Sequence, residues 1–130
     1  MRKLFISLMA TLGICTGCTA QSGVKVLEPE EFIAAAKADT TAVLLDVRRA
    51  TEFAEGHIEG AVNLDWLDTE AFAKGMARLD TARTYYIYCR SGRRSNAAAT
   101  KMQAAGMKVY DMKGGILRWT ELGLPTVGGR

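Results

Sequence analysis

The chain is short of the residues from which metal and acid–base sites are usually built. It has one histidine, three cysteines and two prolines in 130 residues. One histidine, with the single cysteine left beyond residue 20, does not make a ligand set, which argues against a metal centre. Net charge is also scarce. Of 17 basic residues, Arg2 and Lys3 lie in residues 1–20, which hold no acid, so 15 basic residues face 14 acidic ones in the rest. That near balance gives no electrostatic footprint for nucleic acid. There is no internal repeat and no low-complexity tract, so a fibrous or disordered chain is excluded. Hydrophobic residues make up 48% of the sequence, enough for one compact domain and too little chain for two.

The N-terminus has a separate character. Met1-Arg2-Lys3 is followed by an apolar run over 4–14, interrupted only by Ser7, Thr11 and Gly13, and then by small residues up to Ala20. This three-part layout is that of an export signal, and the run is too short to span a bilayer. Residues 1–20 are therefore expected to be a signal peptide, with the domain proper over 24–128 and a location in the periplasm or cell envelope. Cleavage after Ala20 is one route. The other is a lipoprotein signal in which Cys18, preceded by Gly17, is lipidated and tethers the domain to a membrane. Cys15 and Cys18 have C-x-x-C spacing, but inside a targeting segment that spacing carries no redox or metal meaning. Cys89 is then the one cysteine of the fold. It has no internal disulfide partner, and an exported protein that keeps an unpaired thiol exposes it to oxidation.

Beyond residue 23, strand and helix patterns alternate. An edge strand is expected over 24–27. A helix follows from Pro29 to Ala38, because proline suits the first helical position and Glu30 and Glu31 suit the positive dipole end. Phe32, Ile33 and Ala36 form its inner face. The apolar run 42–45, ending at Asp46, reads as a strand buried on both faces. Further expectations are a brief helix over 50–54, a short strand over 60–64 and a helix over 69–79. They continue with an aromatic strand over 85–88 and a helix over 96–105 capped by Gly106. A strand over 108–112, a turn at Gly114-Gly115 and a closing helix over 116–122 complete the chain. The fold class is thus α/β, with a mostly parallel central sheet and helices on both faces. In such folds ligands bind beyond the carboxyl ends of the strands.

Cys89 lies at such an end. The segment Tyr88-Cys89-Arg90-Ser91-Gly92-Arg93-Arg94-Ser95 places three arginines within five residues of the sulfur. The thiolate is the nucleophilic form, so a catalytic site must favour it. Nearby cations, the N-terminus of the following helix and backbone N–H groups in a turn eased by Gly92 can all do so. A free cysteine at a strand end is ordinarily a small core hydrophobe. Here the seven residues after Cys89 are polar or glycine, which argues against burial in apolar surroundings.

Three stretches in order resemble the single-domain rhodanese-like sulfurtransferases. Residues 89–95 are similar to the active-site loop of that family. Asp46-Val47-Arg48, Glu52-Phe53 and Gly56-His57-Ile58-Glu59-Gly60-Ala61 resemble its upstream signature, and Gly114-Gly115-Ile116-Leu117-Arg118-Trp119 its closing segment. The resemblance covers about residues 24–125. It implies that Cys89 takes a sulfane sulfur from a small anionic donor such as thiosulfate, carries it as a persulfide and passes it to cyanide or a thiol. It also implies that no cofactor is needed. Arg90 and Arg94 would bind the donor's charge, and backbone N–H groups from Arg90 through Ser91, Gly92 and Arg93 to Arg94 would cradle the sulfur. The alternative is a persulfide carrier or a non-catalytic binding module. A monomer is expected.

Counting residues separates sulfur from phosphate. Cysteine phosphatases resemble C-x5-R, whereas here the fifth residue after Cys89 is Arg94 and the sixth is Ser95. The smaller loop suits one sulfur. His57 is assigned a structural role, as in the resembled family. Asp46 and Arg48 are read as an ion pair bracing the loop. Trp66, Trp119 and the methionines are read as packing residues.

Overall fold

The structure is a computed structural model that describes residues 23–128. The expected export segment and Cys15 and Cys18 lie outside the described residues. Five strands, β1 (Lys25–Leu27), β2 (Ala42–Asp46), β3 (Val62–Asn63), β4 (Thr84–Tyr88) and β5 (Lys108–Met112), form one sheet in the order β1-β5-β4-β2-β3. Every pairing is parallel. Five helices alternate with them: α1 (Pro29–Ala38), α2 (Ala50–Glu55), α3 (Thr69–Ala77), α4 (Arg93–Ala104) and α5 (Gly115–Glu121). Among the described residues no helix is long and apolar enough to cross a membrane.

Strand β4 is central and wholly buried, so its side chains feed two cores. Tyr85 and Ile87 join Leu45, Phe72 of α3 and Ala98, Ala99 and Met102 of α4. Tyr86 and Tyr88 join Phe32 of α1, Met112 and Ile116 and Trp119 of α5. Helices therefore cover both faces, and the strand reads as a continuous apolar run because neither face is wet. The tyrosines bury their rings and keep a partner for each hydroxyl. The Tyr85 hydroxyl donates to the Asp80 carbonyl at 2.9 Å and the Tyr86 hydroxyl to Asp39 Oδ2 at 3.0 Å, while the Tyr88 hydroxyl accepts from the Ile58 N–H at 3.0 Å.

Two boundaries differ from the sequence expectation in ways that bear on the site. Helix α4 starts at Arg93, three residues before Asn96, because Gly92 at φ 104° turns the chain directly from loop into helix. Strand β3 is two residues long rather than five, and continues as a loop whose Leu64 N–H donates to the Asp46 carbonyl at 2.9 Å.

Candidate active site

The carboxyl ends of β2, β4 and β5 lie side by side, since Asp46 pairs with Tyr88 and Ile87 with Asp111. Three connections leave that edge: Val47 to Arg49, Cys89 to Gly92, and Lys113 to Gly114. The Val47 N–H donates to the Tyr88 carbonyl at 3.0 Å, holding the first against the second.

Cys89 is 1% exposed and belongs to the core cluster with Leu45, Val47, Ile87 and Ala98. The expectation that its polar followers would keep it out of apolar surroundings is corrected by this. Arg90, Ser91 and Arg93 are exposed and form the outside of a loop that folds over the sulfur. The Gly92 N–H donates to Cys89 Sγ at 3.1 Å. Helix α4 has no side-chain cap, so the N–H groups of its first turn are left for another acceptor. Backbone donors gathered at a helix N-terminus form an arrangement that can hold an anion beside the sulfur.

The loop is held from behind by α5. The Ile116 N–H donates to the Cys89 carbonyl at 2.9 Å and the Leu117 N–H to the Arg90 carbonyl at 3.1 Å. These bonds require Gly115 to sit directly against the loop. A Cβ at Gly115, whose φ is +61°, would overlap the Arg90 carbonyl and stand 2.6 Å from the Cys89 oxygen. The Gly114-Gly115 turn read from sequence is therefore also a close backbone contact.

Below the loop lies a polar pair that the sequence reading missed. Ser95 Oγ donates to Asp111 Oδ1 at 2.6 Å, and Asn96 Nδ2 approaches Asp111 Oδ2 at 3.4 Å. Ser95 and Asp111 are both buried. Burial pushes the Asp111 carboxyl up to about 6, against the hydrogen bonds from Ser95, Asn96 and the Met112 N–H.

The three arginines of the loop are not equivalent. Arg90 and Arg93 are exposed and, among the described residues, make no ion pair. Arg94, expected to face a donor's charge, instead grips Glu52 of α2 with both guanidinium nitrogens, Nη1 to Oε1 at 2.8 Å and Nη2 to Oε2 at 3.0 Å. Glu52 is itself fixed, because Oε1 also accepts the N–H of Arg49, the N-cap residue of α2, at 3.0 Å. Arg94's hydrogen bonds hold the Glu52 carboxyl down at about 2.

Asp46 and Arg48 form a buried ion pair with Nη2 to Oδ2 at 2.7 Å, and the same guanidinium nitrogen donates to the Gly56 carbonyl at 2.7 Å. Asn63 Nδ2 bridges the Asp46 and Arg48 carbonyls at 3.0 and 2.9 Å. His57 sits away from the sulfur's hydrogen bonds. It stacks on Phe53 with ring centroids 3.7 Å apart, its Nδ1 lies 2.8 Å from the Phe53 carbonyl oxygen, and its backbone pairs with Val127. A cleft of about 310 Å³ opens beside the loop, lined among others by Arg48, Glu52, Glu55, Arg90 and Thr126.

Comparison with known proteins fits this geometry. Residues 28–122 match the rhodanese-like domain. A sulfurtransferase of Allochromatium vinosum is 40% identical over 92 residues, covering 69% of this chain and 83% of its own. A thiosulfate sulfurtransferase of Pseudomonas putida is 35% identical over 99 residues, covering 75% and 86%. Among solved structures, a rhodanese-related protein of Thermoplasma volcanium superposes with a TM-score of 0.68 at 27% identity, over 79% of this chain and 97% of that one. With the family match spanning most of the described residues, the chain belongs to the rhodanese-like domain family.

Proposed function

We propose that this protein is a sulfurtransferase that carries a sulfane sulfur on Cys89. The Gly92 N–H aimed at Cys89 Sγ at 3.1 Å carries the reading, because it gives the sulfur a ready donor in its anionic form. In the first half-reaction the thiolate attacks the outer sulfur of thiosulfate. The sulfur–sulfur bond of the donor breaks, sulfite leaves with the electron pair, and a Cys89 persulfide remains. In the second, cyanide or a thiolate attacks the outer persulfide sulfur and returns the Cys89 thiolate. The five-residue spacing from Cys89 to Arg94 supports a cradle for one sulfur rather than a phosphate, and the enclosure of Cys89 supports a small donor. Arg90 is the exposed cation best placed to meet the donor's charge, since it lines the adjoining cleft. Residues 1–20 act in this reading as the export segment, which places the reaction in the cell envelope.

The test is sulfite release and thiocyanate formation from thiosulfate and cyanide, with intact-mass measurement of Cys89 after donor alone. Wild type gains one sulfur and turns over. Cys89→Ser loses both properties, by at least about 10³-fold in turnover. A gain of sulfur without turnover moves the protein to the carrier alternative. Equal inactivity of both forms with thiosulfate and with organic sulfur donors overturns the reading.

A further inference from the structure

The charges around the cleft are balanced although the loop sequence is strongly basic. Asp46, Glu52 and Glu55 oppose Arg48, Arg90 and Arg94, three against three. Two of the cations are spent on partners at close range. Arg48 is buried on Asp46 and the Gly56 carbonyl, and Arg94 is bidentate on Glu52. Arg93 lies outside the cleft lining and is exposed, so water and salt screen it. The cation that the spacing places nearest the sulfur's cradle is thus already neutralised.

Resting on the sulfur-transfer reading, we infer that Glu52 is a specificity-determining residue that tunes the Cys89 site toward sulfur donors of low net charge and away from dianions. Glu52 belongs to α2 and not to the loop, and three hydrogen bonds fix its carboxylate: two from Arg94 and one from the Arg49 N–H. A carboxylate so held does not swing away when an anion arrives. A dianionic donor meets Arg90 as its one free cation in the cleft and Glu55 as a repelling charge, because Glu52 holds Arg94 neutralised. A monoanionic donor suffers half of that repulsion. Sulfur transfer is the same for both classes. The Cys89 thiolate attacks the sulfane sulfur, the donor's sulfur–sulfur bond breaks, and sulfite leaves from thiosulfate or a sulfinate from a thiosulfonate, each with the bonding pair. Only the charge that must be accommodated beside Glu52 differs.

Glu52→Gln separates this role from a structural one, because the amide oxygen can still accept the Arg49 N–H while the charge is gone. The donors compared are thiosulfate, a dianion, and methanethiosulfonate, a monoanion of similar size, with thiocyanate formation as readout. The variant is expected to lower KM for thiosulfate roughly threefold to tenfold and to leave that for methanethiosulfonate within about twofold, with kcat retained. A merely structural role would raise both KM values together. An unchanged ratio of the two KM values in an active, folded variant overturns the inference and leaves sulfur transfer intact. If the variant does not fold, the wild-type salt response decides. A neutralised site predicts that KM for thiosulfate rises less than about twofold between roughly 20 and 200 mM salt, and a steeper rise overturns the inference. Absence of any sulfur gain on Cys89 with either donor overturns the parent reading instead.

Discussion

The Cys89 loop is held on two sides that work by different physics. On the cleft side, charge pairs surround it: Arg94 on Glu52 and Arg48 on Asp46. On the inner side the ion pairs of α5 and its entry, Arg118 and Lys113 on Glu28, are exposed and do not involve the loop. Backbone donors from α5, a glycine contact and the Ser95–Asp111 hydrogen bond fix the loop's shape. The cleft side can change its charge without changing the path of the chain. The inner side cannot change by one carbon without moving the carbonyls of Cys89 and Arg90. The difference assigns selectivity to the first side and stability to the second, and substitutions on the two should fail in different assays.

The largest effect is expected at Gly115. Gly115→Ala adds a methyl that overlaps the Arg90 carbonyl at a residue whose φ is +61°, where alanine is already strained. The contact is with backbone, so no side chain can rotate away. A loss of at least about 3–4 kcal/mol in unfolding free energy is expected by denaturant titration, with loss of Cys89 sulfur loading. An alanine variant that keeps wild-type stability would show that the two backbones separate easily, and the division between the two sides would fall.

Next comes Ser95. Ser95→Ala removes the 2.6 Å hydrogen bond and leaves the buried Asp111 carboxyl with the Met112 N–H and the longer contact from Asn96. About 1–3 kcal/mol should be lost, the ordinary cost of a buried polar group left short of a partner. Since Ser95 is on the inner side, the ratio of KM values for dianionic and monoanionic donors should not move. Measuring both quantities on one variant sharpens the comparison, because Glu52→Gln is expected to do the reverse.

How much of this could be read from the chain alone follows the same division. Strand β4 and its exit at Cys89 were legible because four aromatic and apolar residues in a row need burial on two faces. The alternation of strands and helices gave the parallel sheet, and proline with two acids marked the start of α1. The start of α4 was legible only to within three residues, since Arg93 and Arg94 can end a loop or open a helix until Gly92 is known to be left-handed. Arg94 was read as a free cation because its partner lies 42 residues earlier, and nothing local marks one glutamate among 14 acidic residues as that partner. Gly115 was read as a turn, and its contact with the Arg90 carbonyl exists only once α5 has docked. Asp111 sits inside a strand, where an acid suggests a wet face. The signal that could have found it was that Ser95 and Asn96 open a helix and need acceptors.

The last predicted effect is a slope with pH, and it sets Asp111 against Glu52 directly. The folded Asp111 carboxyl titrates at about 6, above its ordinary 3.8, so the native chain binds more protons than the unfolded one between these values. Its contribution to stability is fully present below pH 3.8 and is lost as pH rises through 6. Glu52 has the opposite sign. It is held at about 2 against an ordinary 4.5, so its contribution is present above pH 4.5 and is lost as pH falls toward 2. Asp111→Asn removes the first group and keeps an oxygen to accept from Ser95. Unfolding free energy measured from pH 4 to 7 should therefore rise with pH more in the variant than in wild type, by about 1 kcal/mol per pH unit at the steepest point. If the two proteins run parallel over that interval, Asp111 is an ordinary ionised carboxylate in the fold. The inner side of the loop would then keep its charge down to about pH 4, as the cleft side does, and the distinction between them would rest on Gly115 alone.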